Sequence, residues 1–274
     1  MKFSLQEQAL QSTLITAHRG LTCGNIPGNT LESFDAALVQ GADMIELDVS
    51  NSKEGELFVF HPGMEYAFLG SDRRLYDMTA DEIANLRFLN IDRTPTQYPL
   101  YKLDDALEHL KDRCYINIDK YWDNPERITH ALKRHDMMDQ VVIKSSYSDQ
   151  VVKVLEELAS DIPFIVITRD TDDCTDILKK KNIRYVGAEV LFSDENVPVA
   201  SDEYIRKMNA ENLIVWANSI VYNHKAVLAA GHNDDISIVG RMDEGWGWLL
   251  DKKFNIIQTD FPLSLRMYMN SRKK

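Results

Sequence analysis

His18, Glu46, Asp48 and His61 crowd into one short stretch of the chain, in the strings LITAHRG, ADMIELDVS and ELFVFHPG. Two imidazoles in one site can divide acid and base duty in proton transfer. Carboxylates two apart on a strand point the same way and together suit a hard cation. Arg19, beside His18, adds a fixed planar charge of the kind that grips phosphate. Over Met44–Val49, Ile45, Leu47 and Val49 share one face, and Met44, Glu46 and Asp48 share the other. Facing into a barrel, the two carboxylates would repel and raise one another's pKa. One divalent cation, Mg²⁺ or Ca²⁺, resolves that conflict. Taken alone, the pair also suits a solvated strand end or a salt bridge to Lys or Arg.

Nine apolar runs rich in β-branched or aromatic residues are candidate strands. They are Leu14–His18, Met44–Val49, Leu57–His61, Cys114–Asp119, Gln140–Lys144, Pro163–Thr168, Ile183–Val190, Leu213–Ala217 and Asn255–Thr259. Between most of them lie segments with apolar residues at three- and four-residue spacing, such as LESFDAALVQ, LDDALEHLKD, SDQVVKVLEELAS and SDEYIRKMNA. Such alternation indicates an α/β fold with a parallel sheet, closed or doubly wound. Nine runs are one more than an eight-stranded barrel needs, so one is expected to be peripheral or misread. The link SNSKEGE, after the second run, is too short for a crossover helix. A long irregular segment, about 62–100, follows His61 and contains Pro95 and Pro99; a connection of that length is usually functional. With no repeat or Gly/Ser linker, residues 1–274 are expected to form one domain.

In parallel α/β folds the carboxyl ends of strands line the ligand crevice, where His18 and His61 both fall. The other five histidines have ordinary contexts, His232 in AGHNDD being the least settled. Lys144 ends the fifth run, where a Schiff-base role is the weaker alternative to a structural one. Trp246 and Trp248 suit either a pocket wall or the core. Cys23, Cys114 and Cys174 form no metal or disulfide spacing and read as free thiols in a reducing compartment. A net charge of −12 with no basic face argues against nucleic acid, so an anionic ligand would need locally supplied positive charge. No apolar stretch approaches the roughly 20 residues that span a bilayer. Glu7 and the glutamines interrupt any apolar leader in MKFSLQEQALQS, and the expected location is cytoplasmic. Oligomeric state is not legible.

These strings together resemble the glycerophosphodiester phosphodiesterase family. AHRG, IPGNTLESFDAAL and GADMIELDVSNSKEGELFVFHPG match that family's AHRG, PENT-plus-helix, GAD-x-IE-x-DV and closing histidine in order and spacing. FNIIQTDFP is similar to its last strand, with TD-x-P, and IVWANS to the WTVN-like strand before it. The resemblance implies a TIM-type (β/α)8 barrel, here with an irregular insertion after the third strand. It implies His18 and His61 as the acid–base pair, Arg19 as a phosphate ligand, and Glu46 and Asp48 as metal ligands. The family's third metal carboxylate lies on the fourth strand, with Lys two residues later. Here, in INIDKYW, Asp119 and Lys120 are adjacent, and neighbours on a regular strand face opposite ways. Asp119 is the expected ligand, re-aimed by a bulge if need be, with Asn117 as competitor and Lys120 as a phosphate contact.

Two positions depart from the family pattern. Gly28 replaces the glutamate of PENT, and Pro62 replaces the aspartate that commonly follows the catalytic histidine. The implied reaction is metal-dependent hydrolysis of a glycerophosphodiester to glycerol 3-phosphate and an alcohol. A lyase stopping at a cyclic phosphate is a variant of it. The departures motivate the rival, a non-catalytic barrel that binds a phosphate ester.

Overall fold

The computed structural model describes residues 3–273; Met1, Lys2 and Lys274, part of the range expected as one domain, lie outside the described residues. The chain runs α1 (Leu5–Gln11), β1 (Leu14–His18), α2 (Leu31–Val39), β2 (Met44–Asn51) and β3 (Leu57–Val59). Next come α3 (Glu65–Leu69), α4 (Ala80–Ala84), α5 (Leu103–Leu110), β4 (Tyr115–Asp119), α6 (Pro125–His135), β5 (Val141–Ser146) and α7 (Asp149–Leu158). It continues with β6 (Phe164–Arg169), α8 (Thr175–Leu178), β7 (Tyr185–Leu191), α9 (Asp202–Ala210) and β8 (Ile214–Asn218). It ends with α10 (Asp234–Ile238), α11 (Trp248–Asp251), β9 (Ile256–Thr259) and α12 (Pro262–Ser271). Local chemistry sets several helix starts. Thr30 and Ser33 form a capping box on α2, Pro125 takes the first turn of α6, and Ser148 and Ser201 cap α7 and α9.

Eight strands, all but β3, pair in parallel, and β1 closes the ring by pairing with both β2 and β9. The architecture is a TIM (β/α)8 barrel. The peripheral run is β3, which pairs antiparallel with β2 and, among the described residues, with no other strand. With Ser50 and Asn51 part of β2, the five-residue link makes a hairpin rather than a crossover. Because β2 overshoots the rim and β3 returns along it, the chain after β3 arrives level with Asp48, where Phe60 N–H donates to the Asp48 carbonyl. His61 thus reaches the barrel mouth from outside the ring, not from a barrel strand end.

The inserted segment is less irregular than its sequence suggests. It holds α3 and α4, and Leu69, Leu75, Met78, Ile83, Phe88 and Leu100 pack with Phe58 and Phe60 into an apolar cluster separate from the barrel's.

The strands' two faces do different work. Ile15, Ala17, Ile45, Leu47, Ile116 and Ile118 belong to the large core shared with the surrounding helices. The inward face starts with an apolar tier, including Leu14, Met44, Tyr115, Val142, Ile165, Ile214 and Ile256, against which Leu5 and Ala9 of α1 pack. The next inward tier is polar and buried: Thr16, Glu46, Asn117, Lys144, Glu189, Asn218 and Gln258. Register shifts at the start of β7, where Gly187 has φ +152° and an added Cβ would lie 2.1 Å from the Ile214 carbonyl oxygen. Only glycine admits that approach of β7 to β8.

Cys23 is exposed, whereas Cys114 and Cys174 are buried, and burial pushes both buried thiols up to about 12. A disulfide reagent should therefore modify Cys23 rapidly in native protein, with the other two released only on denaturation. Rapid native reaction of all three would contradict this packing.

Candidate active site

The barrel mouth brings the sequence-predicted residues together. Oxygens of Glu46, Asp48 and Asp119 lie within 4.8 Å of one another. The register makes this unavoidable, since Glu46 is level with His18 and Asn117, and Asp48 with Asp119. Glu46 and Asp48 are almost fully buried. Asn117 shares the inward face of β4, one tier below Asp119, and donates its Nδ2 hydrogen to the Val142 carbonyl.

The three carboxylates have unequal company. Asp48 Oδ2 accepts from Asn29 Nδ2 at 2.9 Å and lies 3.1 Å from Arg19 Nε. Asp119 accepts from Lys120 Nζ at 2.7 Å and from the Lys120 amide. Glu46 has no cationic partner among the described residues and accepts only the Arg19 amide, at 2.9 Å. Burial and the charge of Asp48 push its carboxyl up to about 7. Burial would raise Asp119 as well, but the charges of Lys120 and Lys144 outweigh it and hold that carboxyl down at about 2. The all-oxygen donor set and the uncompensated charge on Glu46 fit a hard divalent cation.

The adjacency of Asp119 and Lys120 is resolved without a bulge. Pairing of β4 with β2 stays in register to its last residue, and Lys120 then takes a left-handed turn, φ 60°. Its side chain folds back onto the mouth beside Asp119. Arg19 (φ 58°) and Asn29 (φ 61°) are also left-handed, a conformation costing non-glycine residues roughly 1–2 kcal/mol. Three such residues around one carboxylate cluster mark a site where the surroundings dictate the backbone. Arg19 Nε–H is buried but not aimed at the Asp48 oxygen, so that donor has no hydrogen-bond partner among the described residues.

Each histidine is held at Nδ1. His18 Nδ1 lies 2.9 Å from Asp260 Oδ1, and His61 Nδ1 donates to the Pro62 carbonyl at 2.8 Å. A carbonyl only accepts, so the second bond fixes the His61 proton on Nδ1 and leaves Nε2 toward Asp48, 3.9 Å from Oδ1. Burial works to lower His18, but the hydrogen bond and charge of Asp260, with Glu46, win and raise it above the ordinary imidazole value. Burial, with Arg19 and Lys120, lowers His61 despite the opposing pull of Asp48.

Sequence reasoning missed two residues. Asp260 follows β9 in the TD-x-P string, 242 positions from His18. Asn29 stands in PGNT, and its amide also accepts from the Asp48 backbone N–H. Behind Asp260 lies a buried hub: Asp234 accepts from Ser219, Trp246 Nε1, Thr259 and the Asp260 amide. Trp246 is therefore core. Trp248 is half-buried against the core and stacks on His232 at 4.0 Å, and His232 bonds Glu195 and the Glu244 carbonyl. Lys144 pairs with Glu189.

The sequence profile of the glycerophosphoryl diester phosphodiesterase family matches residues 18–220, which carry both histidines and the three clustered carboxylates but not Asp260. The chain belongs to that family. A glycerophosphodiester phosphodiesterase of Caldanaerobacter subterraneus subsp. tengcongensis is 30% identical over 158 residues, 54% of this chain and 63% of that one. A solved glycerophosphoryl diester phosphodiesterase from Parabacteroides distasonis has a TM-score of 0.77 at 16% identity, covering 99% of this chain and 94% of that one. An Oleispira antarctica phosphodiesterase, solved in complex with the product sn-glycerol-3-phosphate, has a TM-score of 0.67 at 17% identity, covering 95% and 98%. At those identities the two structures establish the shared barrel.

The departures from the family pattern now have physical form. At Gly28 an added Cβ would lie 2.8 Å from Thr22 Oγ1 and 3.1 Å from Arg19 Cβ, so a glutamate here would require Thr22 and Arg19 to shift. Pro62 supplies through its carbonyl the Nδ1 contact that orients His61.

In chelated protein, His18 should titrate above the ordinary imidazole value and His61 below it. Asp260→Asn removes a raising charge, so the His18 midpoint should move to lower pH while that of His61 stays. Imidazole NMR titration checks both. An unmoved His18 midpoint would remove Asp260 from its role.

Proposed function

We propose that this family member hydrolyses a glycerophosphodiester to glycerol 3-phosphate and an alcohol, using His18 and His61 as its acid–base pair and one divalent cation, Mg²⁺ or Ca²⁺. Phosphodiesterase activity is the coarse reading that family membership supports. The observation carrying the finer one is the pair of imidazoles, each committed at Nδ1, flanking a buried carboxylate cluster. Glu46, Asp48 and Asp119 would hold the ion, which when bound supplies positive charge to the phosphoryl oxygens. Arg19 offers the unengaged Nε–H to one of those oxygens, and Lys120 adds a second positive charge beside Asp119. Asp260 fixes the tautomer of His18 and stabilises its imidazolium, as Pro62 fixes that of His61. One Nε2 takes the proton of the attacking hydroxyl and the other gives a proton to the leaving oxygen. The attacking hydroxyl is water or the neighbouring glycerol hydroxyl, and the second route passes through a cyclic phosphate. The glycerol 3-phosphate bound in the Oleispira antarctica phosphodiesterase supports this choice of product.

Glycerol 3-phosphate release from a panel of glycerophosphodiesters, before and after chelation and metal add-back, tests the reading. His18→Ala and His61→Ala should each lower kcat by about 10²–10⁴-fold without changing the melt. Near-wild-type kcat/KM in either would refute the paired role. Arg19→Lys keeps the charge but loses the planar fork, so kcat should fall at least as much as KM rises. An unaltered kcat/KM in a stable variant would exclude Arg19. Tight phosphate-ester binding with no turnover across the panel would favour the non-catalytic rival.

A further inference from the structure

The carboxylate cluster occupies one side of the mouth, on β2 and β4. Across the barrel, the carboxyl ends of β5, β6 and β7 border a cavity of about 600 Å³ lined by Ser146, Tyr147, Ile167, Arg169, Asp173 and Leu191 among others. That is within the size range of pockets for small molecules. Register ties it to the polar tier, because Ile167 is the partner of both Ser146 and Glu189, the residue that holds Lys144. The cavity therefore opens above the Lys144–Glu189 pair and belongs to the same mouth.

Its charges are unusual for this site. Arg19 and Lys120 face Asp48 and Asp119, and Lys144 faces Glu189. Arg169 continues the inward face of β6 after Ile165 and Ile167, and no carboxylate pairs with it among the described residues. Its recorded bond is from Nη1 to the Val227 carbonyl, at 3.3 Å, which leaves the rest of a planar fork for a ligand. In a chain of net charge −12, this exposed arginine at the cavity edge gives an anionic group a charge-assisted partner that no carboxylate occupies among the described residues. Asp173, lining the same cavity, likewise makes no salt bridge among the described residues. Among the described residues one aromatic ring, Tyr147, lines the space, too few for the cage that a quaternary ammonium prefers.

We propose that this cavity receives the alcohol portion of the diester and selects a zwitterionic, amino-acid-like head group, its carboxylate on Arg169 and its ammonium toward Asp173. The assignment rests on the phosphodiesterase reading above and adds the substrate class. Opposite charges on one wall complement a head group carrying both signs, whereas choline or a neutral polyol satisfies at most one.

The test compares kcat/KM for glycerophosphoserine, glycerophosphoethanolamine and glycerophosphoglycerol in wild type, Arg169→Gln and Asp173→Asn. Wild type should prefer the serine ester. Arg169→Gln should lower the serine-to-ethanolamine ratio by about 10- to 100-fold, the worth of a lost charge-assisted contact. Asp173→Asn should lower both amine-bearing esters relative to the glycerol ester. Unchanged ratios in both variants, or equal losses on all three esters, would overturn the head-group assignment while leaving the phosphodiesterase reading intact. Absence of turnover on any ester in the wild type, with metal present, would instead defeat the underlying reading. In that case, calorimetry with glycerophosphoserine on wild type and Arg169→Gln decides the assignment. Tighter binding to wild type supports it, and equal or undetectable binding overturns it.

Discussion

Three carboxylates converge in the mouth of this barrel, and among the described residues only two of them have a cation beside them. Asp48 has Arg19 and Asp119 has Lys120, but Glu46 is buried with a single backbone amide. Burial and the neighbouring Asp48 hold its carboxyl at about 7, so its ionisation destabilises the metal-free fold as pH rises from ordinary carboxylate values through neutrality. A bound divalent cation would remove that penalty. Much else in the mouth answers to the same constraint. Asn29, Arg19 and Lys120 all adopt left-handed backbone to meet these oxygens, and the polar tier beneath replaces the apolar filling expected of a barrel core.

How much of this was legible follows from how local each interaction is. The carboxylate pair, His18 and the strand–helix alternation are encoded in short spacings, and each appears where period-two and helical patterns place it, whereas His61 follows a strand outside the ring. The extra run was visible as an excess, and the short SNSKEGE link already spoke against a crossover. Only pairing revealed β3 as the strand outside the ring. The Asp119–Lys120 adjacency looked like a conflict because a lysine carries no signal for the left-handed turn that reconciles it. Asp260 and His18 are brought together by closure of β9 on β1, a contact no local pattern announces. The capacity of Pro62 to orient His61 lies in a backbone carbonyl, which every residue has.

The mouth also reconciles an acidic protein with an anionic substrate. Positive charge is concentrated at Arg19, Lys120, Lys144 and Arg169, and three of these four are held beside carboxylates that set their position. On the proposed reading, division of the mouth follows the strands, with the reacting phosphoryl group addressed from β1, β2 and β4 and the remainder of the ligand from β5 to β7. A barrel suits this arrangement because loops on one half can change without disturbing carboxylates anchored in the other. The β2–β3 hairpin delivers His61, and the insertion that follows it, with its own apolar cluster, leaves the eight-stranded ring intact.

The central claim is that the Glu46–Asp48–Asp119 cluster is a cation site. Thermal unfolding of chelated protein above pH 7, titrated with Mg²⁺ or Ca²⁺, tests it most directly. At a concentration 100 times Kd, binding to the native state adds about 2.7 kcal/mol. For a chain of this size that should raise Tm by roughly 5 °C. Asp48→Asn should weaken the response, and Glu46→Gln should stabilise the chelated protein while weakening it too. A wild-type melt that neither cation moves at millimolar concentration would contradict the account, as would an equal rise in both variants.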